Sequence, residues 1–202
     1  MGIRSRGARW ARKRALEHGK GAGLWRRLST PGLQDWAEYL RRHGGFAHFG
    51  QNCAINPASV FTDPYLTWIG NNVRIAGAFV SGHDGSINMV NRAFDLTFDA
   101  VGPVRIEDDV FIGINAIILP NTHLRAKTIV GAGSVVSGSF EPDSVIVGSP
   151  ARRIRSLSEH VEILKGRNET YPWKHLIERR GKEYDPLMEP ELRRIRSEYF
   201  FG

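Results

Sequence analysis

Residues 106–141 read IEDDVF, IGINAI, ILPNTH, LRAKTI, VGAGSV, VSGSFE, with Ile106, Ile112, Ile118, Leu124, Val130 and Val136 heading the six blocks. An aliphatic residue recurs at every sixth position without a miss. An α-helix repeats near 3.6 residues and a simple strand near 2, so period six fits neither alone. Short strands joined by corners do fit, each turn of chain stacking on the last. Such a β-solenoid buries its anchors in one column and turns the intervening side chains outward.

Working back along the chain, the rhythm starts raggedly at Phe49, Ile55 and Phe61 and sharpens at Ile69 and Ile75. It then breaks: Ile75 and Ile106 are separated by one residue more than five repeats, and loop 84–103 shows no period. A loop of that length inside a compact repeat is usually functional or disordered. Thr30 and Pro31 suit a helix N-cap and first position, and Gly44 a stop, giving a helix over 31–43 with Leu33, Trp36 and Leu40 on one face. At the other end, Pro142 and Pro150 bracket the segment that closes the solenoid. Three helical segments are expected beyond it, from a capping box at Ser156–Glu159, over 172–181, and over 189–199. The expected organisation is a basic, partly disordered arm (1–28), a short helix (29–45), the β-solenoid (46–155) and a C-terminal helical extension (156–202).

The formal net charge of +7 is local. Residues 1–27 carry nine Lys and Arg against Glu17 alone, and beyond them acidic and basic groups nearly balance. The plain reading of the arm is a solvated, partly disordered tail. Attachment to anionic membrane is the other, with Trp10, Leu16, Leu24 and Trp25 as interfacial anchors. Nucleic acid is set aside, since the arm has no recognition motif and the body is not basic. Cys53 is the single cysteine, so no intrachain disulfide forms and a reducing cytoplasm is the simpler setting, at the inner membrane face if the arm binds lipid. No apolar run approaches a membrane span, and no secretory signal is expected.

The segments IGNNVRIA, VSGHDGS, VFIGINAIILPN, VGAGSVVSG and VGSPARRIR, within residues 69–155, resemble the left-handed β-helix acyltransferases. The likeness is to the branch of maltose and galactoside acetyltransferases and polysaccharide O-acetyltransferases. It implies a left-handed parallel β-helix of hexapeptide repeats, a homotrimer with clefts between neighbouring prisms, and acetyl-CoA as donor. His83 matches the family's general base. An imidazole, with an ordinary pKa near 6.5, suits removal of a hydroxyl proton during attack on a thioester. Direct transfer needs no nucleophile, so Cys53 has no covalent role.

By the same resemblance Asp63 is the carboxylate that contacts the acceptor sugar, although its local spacing is off by one residue. Asp84 is a second acceptor-side carboxylate and a candidate orienter of His83, with a plain loop carboxylate as its other reading. Phe111 stands where the family has a Trp beside the pantetheine, and Ile114 where it has a Ser whose backbone N–H supports the oxyanion. Ala132 keeps a small residue at the cofactor's path. Ser137 replaces a Thr, and Gly138 a phosphate-binding Lys. Arg152 and Arg155 match arginines at the nucleotide end. A zinc site would need three imidazoles; His83 and His123 are the two in the periodic segment, without paired spacing, so no metal is expected.

The function expected is acetyl-CoA-dependent O-acetylation of a sugar hydroxyl in surface-polysaccharide assembly. The alternatives are N-acetylation of a nucleotide-linked amino sugar and a non-catalytic trimeric scaffold. The antibiotic acetyltransferases differ in the loop after the histidine, and serine acetyltransferases in their N-terminal helical domain.

Overall fold

The computed structural model describes residues 3–181 and 184–202, with side chains from Arg6 onward. The chain forms two compact units, the first ending at Leu157 and the second running from Ser158 to Gly202. Fifteen short strands make three sheets in the first unit. The first face is β1 (His48–Phe49), β4 (Thr67–Ile69), β7 (Val104–Ile106), β10 (Thr122–Leu124) and β13 (Ser139–Phe140). The second is β2 (Ala54–Ile55), β5 (Arg74–Ile75), β8 (Phe111–Ile112), β11 (Thr128–Val130), β14 (Ser144–Gly148) and β15 (Ala151–Ser156). The third is β3 (Val60–Phe61), β6 (Phe79–Val80), β9 (Ile117–Ile118) and β12 (Val135–Val136). The chain visits the faces in rotation, so every strand pairs in parallel with the strand one coil away. The exception is β15, which folds back antiparallel on β14 and ends the coil.

The six-residue rhythm has a backbone cause. Asp109, Asn115, Asn121, Lys127 and Gly133 all have φ between 57° and 68°, each at the same place after an anchor. A left-handed residue turns the chain sharply, and Asn, Asp and Gly enter that region at least cost. Each block is thus a short strand followed by a corner. The corners are braced by buried hydroxyls: Thr122 Oγ1 donates to the Leu119 carbonyl, Thr128 Oγ1 to that of Arg125 and Ser144 Oγ to that of Glu141, each at 2.7 Å. The anchors Ile106, Ile112, Ile118, Leu124, Val130 and Val136 are fully buried in one column.

Val80 pairs with Ile118 across more than two coils' worth of sequence, whereas Ile118 pairs with Val136 across one regular coil. The excess leaves the prism between β6 and β7. It is ordered into helix α4 (Ile87–Phe94), where the spacing predicts only an aperiodic loop over 84–103. Its two ends are tied together, Asp84 N–H to the Ala100 carbonyl and Gly102 N–H to the Gly82 carbonyl, both at 2.8 Å.

The described part of the N-terminal arm is helical, where the plain sequence reading is a partly disordered tail. It forms α1 (Ile3–His18) and α2 (Ala22–Leu28), packed with α3 (Leu33–His43). Ala11, Ala15 and Trp25 are buried in the same core as the first coils. Arg12 grips Asp35 of α3 with two 2.6 Å hydrogen bonds. Helix α3 begins at Leu33 after Gly32 in extended conformation, so Thr30 and Pro31 do not start it; Pro31 is buried just ahead. Gly44 does close it. The second unit holds most of α5 (Leu157–Thr170), α6 (Lys174–Arg180) and α7 (Glu189–Phe201), around Trp173, Leu176, Met188 and Leu192. Among the described residues no helix is long and apolar enough to cross a membrane.

Ile118, sealed between coils, gives a direct test of the column. Ile118→Ala truncates a side chain at a site with little freedom to collapse and is expected to cost about 2–5 kcal/mol of unfolding free energy, read from denaturant midpoints.

Candidate active site

His83 follows β6 at the corner between the third and first faces. Ser81 N–H bonds the Ile118 carbonyl at 2.9 Å, and Ser81 Oγ donates to the His83 carbonyl at the same distance, which fixes the backbone on both sides of Gly82. One coil earlier, at the same corner, lies Asp63. His83 Nδ1 stands 2.6 Å from Asp63 Oδ2. That one oxygen also accepts the Thr62 hydroxyl at 2.6 Å and the Gly82 N–H at 3.1 Å.

Gly82 makes the approach feasible, because a Cβ there would sit 2.9 Å from the Asp63 Cβ. The Thr62 hydroxyl, ahead of His83 and the Gly82 amide, lowers the Asp63 pKa against the opposing effect of burial. An ionised carboxylate only accepts, so the neutral imidazole places its proton on Nδ1 and leaves Nε2 unprotonated. The Asp63 side chain is 12% exposed and that of His83 45%. His83 borders a cleft of about 650 Å³, with Phe79, Ser81, Asp84, Leu119, Asn121 and Ser137 in its wall.

Asp84 does not orient His83. Its Oδ1 accepts the Ser86 N–H at 2.9 Å, closing an Asx turn that starts the loop, and that bond lowers its pKa. Adjacent side chains diverge, and the orienting carboxylate comes from the coil below. Asp63 is engaged with His83 rather than standing apart on the acceptor side. Sequence reasoning misses Thr62, Ser81 and Gly82. The TD and SGH segments are not a whole number of repeats apart, and no strict period links them.

The other candidates fall elsewhere. Ser137 shares the corner and the cleft with His83. Phe111 lies on the outer side of the second face, and Ile114 and Ala132 stack at the corner between the second and third faces, where Gly133 N–H bonds the Ile114 carbonyl at 2.9 Å. One chain therefore sets Ile114 and Ala132 at the far edge of the third face from His83, with Phe111 beyond them on the second face. Between its two edges the third face exposes a register-matched row, Val60, Phe79, Ile117 and Val135. Arg152 and Arg155 project from β15, with Arg152 Nη1 donating to the Ala151 carbonyl at 2.8 Å. A second cleft of about 490 Å³, under α3, has its carboxylates paired with arginine; Arg41 above all holds Glu38 down to about 2.

Residues 103–138 match the family described as bacterial transferase hexapeptide (six repeats). The matched residues run along the chain from β7 to β12. The chain is 29% identical over 137 residues to galactoside O-acetyltransferase of Escherichia coli K12, covering 65% of this chain and 66% of that one. It is 30% identical over 122 residues to a Schizosaccharomyces pombe protein, covering 57% and 55%. It thus spans roughly half to two thirds of these relatives' length. Among solved structures it is similar to a galactoside acetyltransferase in complex with coenzyme A, with TM-score 0.47, 19% identity, and coverage of 79% and 82%.

The depressed Asp63 pKa has a thermodynamic consequence. A carboxyl with a lower pKa folded than unfolded adds stability above its unfolded pKa and loses it as pH falls through the folded value. The melting-temperature gap between wild type and Asp63→Asn should be widest near neutrality and close as pH drops below about 4. A gap independent of pH would mean that Asp63 is not the ionised partner.

Proposed function

We propose that this chain is an acetyl-CoA-dependent O-acetyltransferase that modifies a sugar hydroxyl in surface-polysaccharide assembly, built as a left-handed β-helix and working in the cytoplasm. The observation that carries this reading is the 2.6 Å contact between His83 Nδ1 and Asp63 Oδ2 at the mouth of a cleft. It makes Nε2 the base. The acceptor hydroxyl gives its proton to Nε2 as its oxygen bonds the thioester carbonyl carbon. The Asp63 carboxylate stabilises the imidazolium so formed. The tetrahedral oxyanion, held by the Ile114 backbone N–H, then collapses; the carbon–sulfur bond breaks and the imidazolium returns the proton to the leaving sulfur. The hexapeptide match and the identity to galactoside O-acetyltransferase support the choice of donor and of a sugar acceptor.

The same reading includes a homotrimer. His83, Asp63 and Ser137 lie on one edge of the third face, and Phe111, Ile114 and Ala132 towards the other. A threefold arrangement with the Val60–Phe79–Ile117–Val135 row turned inward would bring the first edge of one copy against the second edge of the next. The pantetheine would then run along Phe111 and Ala132, and Arg152 and Arg155 would meet the nucleotide phosphates.

Finally, we read the basic N-terminal helices as a dock for anionic lipid. Trp25 and Leu16 do not serve as anchors, since Trp25 is 2% exposed and Leu16 packs on the core. Trp10 at 55% and Leu24 at 43% remain outward among the arginines.

His83→Ala is expected to lower acetyl transfer roughly 10²–10⁴-fold, followed as free thiol from acetyl-CoA with galactosides, maltose and polysaccharide fragments. Undiminished turnover would remove His83 as base, and a wild type inert toward every acceptor would favour the scaffold reading. Ile117→Asp buries a charge in the trimer contact and should sediment as an inactive monomer; a monomeric, active wild type would overturn the trimer. Cosedimentation with phosphatidylserine vesicles should weaken as salt rises from about 0.05 to about 0.5 M and fall when the exposed Arg6, Lys13 and Lys20 are together replaced by Gln. Salt-independent or unaltered binding counts against the lipid dock.

A further inference from the structure

The first face carries a polar column that acetyl transfer does not use. His48, Trp68, Arg105 and His123 occupy matched positions on successive coils. The His48 ring stacks on Trp68 at 4.6 Å and 16°, and the Arg105 guanidinium lies 4.7 Å from the indole centroid. Beside the column is a pocket of about 360 Å³, lined by Trp68, Pro103, Arg105, Asn121, Thr122 and His123. Asn121 borders the His83 cleft as well, and the returning loop runs between the two, Ala100 and Val101 facing the cleft and Pro103 the pocket. The spaces therefore adjoin around one corner. A ligand of more than one saccharide unit with its reacting hydroxyl at His83 has the pocket as its next stop.

The lining sorts into occupied and available groups. Thr122 Oγ1 donates to the Leu119 carbonyl. Glu107 accepts His123 Nε2 at 2.7 Å through Oε1 and the Ala126 N–H at 3.0 Å through Oε2. Arg105 Nε is 3.8 Å from Glu107 Oε1, beyond hydrogen-bond reach, and its side chain is 54% exposed. The indole holds the guanidinium in place while its N–H fork is unused. An arginine stacked on an aromatic loses less side-chain freedom when it binds, and the fork suits a carboxylate or phosphate bidentately. Glu107 is the opposing charge nearby, and its engagement with His123 and Ala126 leaves Arg105 the stronger pole for an incoming oxyanion.

We propose that this pocket is a second acceptor subsite, in which Arg105 reads an oxyanion, a carboxylate or a phosphate ester, on the saccharide unit next to the one acetylated. The proposal rests on His83 being the transfer site for its role, though not for its binding.

Calorimetric titration of the full chain with glucuronic acid, glucose 6-phosphate and glucose tests the binding directly. At least one anionic sugar should bind wild type more tightly than glucose, and Arg105→Gln should weaken that binding roughly tenfold, about one charge-assisted hydrogen bond. Arg105→Lys should fall between, keeping the charge without the fork. Binding of glucuronic acid alone assigns a carboxylate, and of glucose 6-phosphate alone a phosphate; either supports the subsite. Three results would overturn it: no binding of either anion, glucose binding as tightly as both anions, or Arg105→Gln matching wild type in anion affinity with an unchanged melting temperature. In turnover assays Arg105→Gln should raise KM for acidic acceptors more than for neutral ones. A wild type that transfers acetyl to no sugar defeats the transferase reading, yet the titration still decides the subsite.

Discussion

The structure depends on a constraint of space: each face of a three-sided coil must seat a fully buried aliphatic anchor on every regular turn. Ile106, Ile112 and Ile118 meet at one level, and Leu124, Val130 and Val136 stack on them. Each strand and its corner must therefore fit within one short block, and the corner must be made in a small part of it. A single left-handed residue does it, at Asp109, Asn115, Asn121, Lys127 and Gly133. Lys127 has neither glycine's freedom nor asparagine's local hydrogen bonding. It tolerates the strain because the coils on either side fix its backbone, its N–H bonding the Asp108 carbonyl at 3.0 Å.

The corner is also where chemistry can be placed without disturbing the column. Residues beside a corner stack on those one coil away, so Asp63 and His83 meet although a full coil of chain separates them. A glycine at 82 lets the chains approach, and a hydroxyl at 62 shares the carboxylate. The excursion through α4 begins immediately after His83, so the proposed base, on a rigid wall, sits at the root of the loop. On the proposed reading, that division of labour would let loop sequence change acceptor preference while the base stays fixed.

What the sequence made legible was whatever the period touches. Anchors, faces and the break at residue 84 follow from spacing, and His83 follows from its place at the break. Its carboxylate partner was not legible, because the early coils are irregular: Val60 pairs with Phe79, one residue beyond the spacing that Ile117 and Val135 keep. Asp84 looked nearer only along the chain. The N-terminal helices were hidden for another reason. Their charge suggests a solvated tail, and what orders them is tertiary: Trp25 inserted against Trp36, Ala11 and Ala15 at close contact, and Arg12 held by Asp35. Single-sequence patterning does not carry such long-range terms.

The same column that hides one set of residues displays another, and this bears on how specificity can be divided. On the first and third faces burial alternates along the strands, so a buried anchor there has an outward neighbour. On the third face those neighbours are apolar, Val60, Phe79, Ile117 and Val135, and suited to contact with protein. On the first they are His48, Trp68, Arg105 and His123, which are polar or amphipathic and suited to a hydrated, charged ligand. The corner shared by these two faces is the one that bears His83. A base set between an association surface and a polar column can have its reactive geometry completed from one side and its acceptor selected from the other. On the proposed reading, substitutions on the first face would alter which acceptor is held without passing through either the anchors or the His83–Asp63 contact.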